Sequence, residues 1–120
     1  MSKVKLRDSF DSECPVRNVL SRIGDKWSIL VLYTLQNGDI LRFKELQRSL
    51  PDISQKMLTV TLRTLEEDGF VLRKAYPTIP PKVEYSLTPR AAEFMSHLQP
   101  LIVWAKDNME GIIKDRERNM

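Results

Sequence analysis

The chain has 120 residues, 42% hydrophobic and 29% charged, with Lys and Arg exceeding Asp and Glu by 19 to 16 for a net charge of +3. That is enough apolar material for one domain, and a positive balance too mild to demand a polyanionic partner, so the placement of charge matters more than its sum. The single cysteine, Cys14, excludes an intramolecular disulfide and with it a disulfide-stapled secreted scaffold.

The start, MSKVKLRDSFDSE, has no apolar core of a signal peptide. The longest apolar run, Ile29 to Tyr33, falls far short of the roughly 20 residues that cross a bilayer. The expected compartment is the cytoplasm, with no membrane partner. Residues 1–12 are polar and charged and are expected to form a flexible arm, leaving 13–118 as the folded unit.

Pro15 suits the first position of a helix, where its missing N–H costs nothing, and Val16, Val19, Leu20 and Ile23 make an apolar stripe that Gly24 ends. Asp25 caps the next helix, Lys26 to Gln36. Its Trp27, Ile29, Leu30, Val31, Leu32 and Leu35 leave almost no polar face, which predicts a place in the middle of the core. Asn37-Gly38 breaks it, and Ile40-Leu41 suits a very short strand. A third helix, Phe43 to Leu50, turns Phe43, Leu46 and Leu50 inward and Lys44, Gln47 and Arg48 outward.

After the turn at Pro51-Asp52, Ser54 caps a helix whose Leu58, Leu62 and Leu65 form one stripe, with Met57 and Thr61 beside them and Gly69 as its stop. The period then changes to two. Phe70 to Tyr76 and Val83 to Leu87 are predicted as an antiparallel hairpin around the stiff loop Pro77-Thr78-Ile79-Pro80-Pro81-Lys82. Thr88-Pro89 starts the last helix. There Ala91, Phe94, Leu98, Leu101, Ala105, Met109 and Ile112 make a coiled-coil-like seam, flanked by Met95, Ile102 and Ile113. Pro100 is expected to kink or split this helix, and the charged end from Lys114 to fray.

Helices, a helix pair, a hairpin and a long last helix make an α+β, mostly helical chain with the winged helix-turn-helix arrangement. In that arrangement the second helix of the pair enters a major groove and the hairpin loop, the wing, touches the flanking backbone or minor groove. On the predicted reading helix, Lys56, Thr59, Val60 and Arg63 lie opposite the leucines, with Gln55 in the first turn. These are donors for base edges or phosphates and a small apolar group for a thymine methyl. Glu66, Glu67 and Asp68 collect at the far end, which opposes the helix dipole but keeps carboxylates from phosphates if the N-terminal half docks. From Arg42 to Lys56, four cations (Arg42, Lys44, Arg48, Lys56) face Glu45 and Asp52, 4 − 2 = +2. From Val71 to Arg90, four (Arg73, Lys74, Lys82, Arg90) face Glu84, 4 − 1 = +3. The alternative is a solvated face on a winged helix used for protein contact alone, a role that an apolar or acidic reading face would suit better.

Cys14-Pro15-Val16, Ile23-Gly24-Asp25-Lys26-Trp27, Arg42-Phe43-Lys44-Glu45-Leu46, Leu62 through Gly69, and Tyr76-Pro77 to Thr88 together resemble the HxlR-type family of bacterial winged-helix regulators, relatives of the MarR group. The likeness covers roughly residues 13–105. It implies a homodimeric transcriptional regulator on inverted-repeat operator DNA, dimerising through its first and last helices; Val16, Val19, Leu98, Leu101, Ile102, Ala105 and Met109 are the interface residues expected from this. It places the reading helix at Ser54 to Asp68 and the wing at Tyr76 to Lys82. The expected contacts are Ser54, Gln55, Lys56, Thr59, Val60 and Arg63 on the reading helix, and Arg42, Lys44, Arg73, Lys74, Thr78 and Lys82 on the backbone and wing. Val60 departs from the long polar residue that many relatives carry, so a relative's operator preference does not transfer.

Cys14 precedes a helix N-terminus, where the dipole favours a thiolate, with Arg7 and Arg17 near in sequence and Asp11 and Glu13 opposing. Family members that resemble it here use this cysteine to sense oxidants or electrophiles; the alternative is a small apolar side chain at the dimer edge. His97 has no second ligand type clustered near it in sequence, Trp27 and Trp104 suit core or interface, and four scattered glycines make no phosphate loop. Neither metal nor cofactor is expected. One His and one Cys on opposite terminal helices give no nucleophile–base pair, so an enzyme is not expected.

Overall fold

Residues 14–37 and 39–120 are described in the computed structural model. Their elements are α1 (Pro15–Ile23), α2 (Lys26–Leu35), α3 (Phe43–Ser49), α4 (Gln55–Glu67), β1 (Val71–Tyr76), β2 (Lys82–Leu87) and α5 (Pro89–Arg118). The expected arm, Arg7, Asp11, Glu13 and Gly38 lie outside the described residues.

Side-chain caps fix three of the helix starts. Asp25 accepts from the Ser28 N–H at 3.1 Å, Ser54 from Met57 at 3.0 Å and Thr88 from Ala91 at 3.2 Å. Each satisfies a donor that the helix itself leaves unpaired. At α3 the direction reverses: Glu45 reaches back to accept from the Arg42 N–H at 2.8 Å. Gly69 ends the α4 turn at φ +79°, a conformation that a side chain would strain.

The nearly all-apolar α2 is the centre of the fold, touching α3, α4, α5 and β2. Its Val31, Leu32 and Leu35 are fully buried with Leu46 of α3, Leu58 and Leu65 of α4 and Ala91 of α5. Each large side chain so buried stabilises the fold by roughly 1.5–3 kcal/mol. Val71 to Tyr76 pair antiparallel with Leu87 to Lys82, and the short strand expected at Ile40-Leu41 reduces to a single bridge between Leu41 and Tyr85. Phe70 meets Phe94 edge-on at 5.9 Å, seating the start of α5 against the hairpin.

Of the α1 stripe only Ile23 is buried; Val16, Val19 and Leu20 are exposed, because no described element covers that side. Two expectations need correction. Pro100 does not split the last helix, which runs unbroken through it. The proline removes one hydrogen bond, and Met95 and Leu98, buried on one side, and half-buried Ile102 on the other hold the helix to the core. Nor does α5 fray at Lys114: it continues to Arg118, with ion pairs Glu110–Lys114 at 3.0 Å and Asp115–Arg118 at 2.6 Å, and Arg116 and Arg118 complementing the dipole of its last turn.

Candidate nucleic-acid interface

The two faces of α4 separate as its period requires. Leu58, Thr61, Leu62 and Leu65 are buried, whereas Gln55, Lys56, Thr59, Val60 and Arg63 are exposed. Their chemistry is narrower than residue type alone suggests. Ser54 Oγ accepts the Met57 N–H, which leaves its own proton free to donate. The Thr59 hydroxyl donates to the Gln55 carbonyl at 2.8 Å, so outward it offers only an acceptor. Val60, 48% exposed, offers a methyl surface. Lys56 and Arg63 make no ion pair with another described residue.

Two clefts gather cations, one bordering this face and one between α3 and the wing. One of about 370 Å³ lies between α4 and the hairpin and brings together Thr59, Arg63, Glu66 and Arg73 above Phe43, Leu62 and Tyr85. Glu66 thus stands beside the two arginines, so the acidic end of α4 is less separate from the basic face than its place along the helix implies. The other, of about 720 Å³, lies between α3 and the wing and gathers Arg42, Lys44, Arg48 and Lys82 with Glu45. Arg48 is a member that sequence reasoning counted for its charge but did not assign; its spacing of i+4 from Lys44 was the available signal.

The wing has a braced base. Tyr76 donates to Glu84 Oε1 at 3.0 Å, and Lys82 Nζ sits 3.4 Å from Glu84 Oε2. Lys82 and Lys74 lie over the Tyr76 ring, 4.9 and 5.2 Å from its centroid. The hydrogen bond from Tyr76, then the charge of Lys82, hold the Glu84 carboxyl below its ordinary pKa against the opposing effect of partial burial. Arg73, Lys74 and Thr78 are exposed. Arg90 does not belong to this cluster: it lies in the first turn of α5 and donates to the Asp68 carbonyl at 2.9 Å.

The remaining candidates sit apart from this surface. Val16 and Val19 on α1, and Leu101, Ala105 and Met109 on α5, are exposed; Leu98 is buried in the protomer's own core and Ile102 half-buried against it. Beyond Ile102 the α5 side chains Val103, Trp104, Ile112 and Ile113 are also exposed. Trp27 is half-buried, with Lys26 Nζ 4.6 Å over its ring. Cys14 is the N-cap residue of α1, buried, a free thiol whose side chain makes no capping bond. His97 is exposed, and among the described residues no group of three or more His, Cys, Asp or Glu side chains comes together.

A helix pair whose second helix exposes Lys56 and Arg63, a two-stranded wing and a long closing helix define a winged helix-turn-helix protein. The chain belongs to the HxlR-like helix-turn-helix family, whose model matches residues 22–112. It is 37% identical over 115 residues to the HTH-type transcriptional regulator YtfH of Escherichia coli, covering 96% of this chain and 90% of that one. Among solved structures it is similar to the transcriptional regulator ytfH of Salmonella typhimurium, with a TM-score of 0.80 and 36% identity over 96% of this chain and 99% of that one. It is also similar to the redox regulator HypR in its oxidized form, with a TM-score of 0.73 and 41% identity over 79% and 97%. The chain is therefore a transcriptional regulator of the helix-turn-helix class and not an enzyme. Among the described residues no helix is long and apolar enough to cross a membrane.

Proposed function

We propose that the chain binds operator DNA sequence-specifically as a homodimer, with α4 in the major groove and the wing beside it. The observation that carries this is the α4 face itself: Lys56, Thr59, Val60 and Arg63 stand exposed, opposite a fully packed leucine stripe, with Arg73 of the hairpin sharing a cleft with Thr59 and Arg63 and a second cleft between α3 and the wing lined by Arg42, Lys44, Arg48 and Lys82. Ser54 and Lys56 suit phosphates or guanine edges, Thr59 an exocyclic amine, Val60 a thymine methyl and Arg63 a guanine. Arg42, Lys44, Arg73, Lys74 and Lys82 neutralise flanking phosphates. The exposed apolar residues of α1 and α5 pair with the same faces of a second copy, placing two reading helices on an inverted repeat. A gel shift with the DNA upstream of the chain's own gene tests this: a complex that weakens steeply with salt is expected. A protein that shifts no DNA at low salt would favour the protein-contact reading instead.

The likeness to a redox regulator supports a second element, an oxidant or electrophile response through Cys14. With one thiol per chain, the chemistry is an intersubunit disulfide, a mixed disulfide with a small thiol, or alkylation. Cys14 opens α1, so a change there acts on the helix that would pair the subunits, and hence on the spacing of the reading helices. Cys14→Ser should leave DNA affinity of the reduced protein unchanged and abolish its response to diamide; a response that survives removes Cys14 from this role.

A further inference from the structure

We propose that Ile79 is an apolar wedge that enters the minor groove beside the operator and bends the DNA; this rests on the DNA-binding reading above. Ile79 is the tip of the wing and its side chain is wholly exposed, at 101%. Single exposed apolar side chains are common on protein surfaces. What distinguishes Ile79 is its setting.

Pro77, Pro80 and Pro81 surround it, each with φ fixed by its ring. Thr78 Oγ1 donates to the Pro80 carbonyl at 2.8 Å and closes the tip over Ile79. The tip is thus preorganised, and little conformational entropy is left to lose when it inserts. Below it, the Tyr76–Glu84 hydrogen bond and the lysines over the Tyr76 ring brace the stalk, with Arg73 and Lys74 exposed along β1.

This arrangement selects the partner. An apolar point on a stalk that carries Lys74 and Lys82 over the Tyr76 ring below it suits a groove whose phosphate backbone the stalk meets. A protein partner would need roughly 800 Å² from each side, far more than one isoleucine supplies. The arrangement also selects the mode of contact. Reading minor-groove acceptors requires a side-chain donor. The tip has none, since the Thr78 proton is committed to Pro80 and the other tip side chains are apolar. An apolar tip is accommodated by partial insertion between base pairs, which unstacks a step and kinks the duplex. Flexible pyrimidine–purine steps are therefore favoured where the wing lands, a preference independent of any base that α4 touches.

The test uses a duplex selected from a random pool by the wild-type protein, labelled at both ends for energy transfer, with 2-aminopurine at the step under the wing. Wild-type protein should bend it by some tens of degrees, within the about 20–90° typical of wedges, and raise the 2-aminopurine fluorescence. Ile79→Ala should still bind through α4 but lose most of the bend and the fluorescence rise, and Ile79→Met should keep both. A straight wild-type complex, or an Ile79→Ala complex bent as much as wild type, overturns the wedge and leaves DNA binding intact. Failure of wild type to enrich any duplex overturns the wedge together with the DNA-binding reading.

Discussion

Arg22, in the last turn of α1, donates through Nη1 to Asp68 Oδ1 at 2.9 Å, joining residues 46 apart in sequence. Asp68 caps the C-terminus of α4, where a carboxylate opposes the helix dipole. Arg22 meets that carboxylate and Arg90 meets the carbonyl of the same residue at 2.9 Å. The C-terminal end of α4 is thereby tied to α1 and to α5. Thr88 completes the tie, donating through Oγ1 to the Gly69 carbonyl at 2.6 Å.

The energetic weight of this ion pair is small. Arg22 is 56% exposed at its side chain, so screening limits the pair to about 0.2–1 kcal/mol. Arg22→Ala should lower stability by that amount in urea denaturation. Asp68→Asn should cost less, because it also removes a charge from the unfavourable helix end and from the buried Oδ2, which has no hydrogen-bond partner. A double-mutant cycle that returns no coupling would show that the pair adds nothing to stability.

Glu84 gives a prediction in pH. Its folded pKa is lowered, chiefly by the Tyr76 hydroxyl and then by Lys82. The unfolded state holds the proton more tightly, so the contribution is present above the ordinary carboxylate pKa and is lost as pH falls through the lowered folded value. The wing base should loosen only in acid. In a carboxyl NMR titration Glu84 should have its midpoint below that of an ordinary glutamate, and Tyr76→Phe should move it upward; an unmoved midpoint would contradict the assigned cause.

Pairing through the outer helices predicts a change of mass. Leu101 and Met109 are 56% and 49% exposed and contribute little to the protomer's core. Leu101→Glu with Met109→Glu should halve the mass seen in sedimentation while the helical circular dichroism stays unchanged. A wild-type protein that already sediments as a monomer would contradict the pairing, and a double variant that keeps the dimer mass would place the contact elsewhere.

Much of this was legible in the sequence where the signal was local. The caps at Asp25, Ser54 and Thr88, the leucine face of α4 and the antiparallel hairpin follow from neighbours within one turn or one strand pair. What was not legible depended on distant partners. Pro100 carries a penalty of about 3 kcal/mol inside a helix, and only packing at Met95, Leu98 and Ile102 decides that the helix survives it. Arg90 counts as part of the hairpin by sequence, and contact with Asp68 assigns it to the joint instead. Leu98, expected at an interface, is instead buried in the protomer's own core, because an amphipathic stripe states that something covers it, not what. Thr59 looks like a donor until its bond to the Gln55 carbonyl is known.

Selection of bound duplexes from a random pool, run in parallel with wild type, Lys56→Ala and Arg63→Ala, tests the central claim most directly. Wild type should enrich an inverted repeat with half-sites about 34 Å apart. Against that duplex Arg63→Ala should bind more weakly by about 1–3 kcal/mol and relax one base position. Lys56→Ala should behave the same way if its ammonium meets a base, or lower the salt slope by about one if it meets a phosphate. No enrichment by wild type, or enrichment of the same sequence with equal affinity by both variants, would contradict the assignment of α4 as the reading helix.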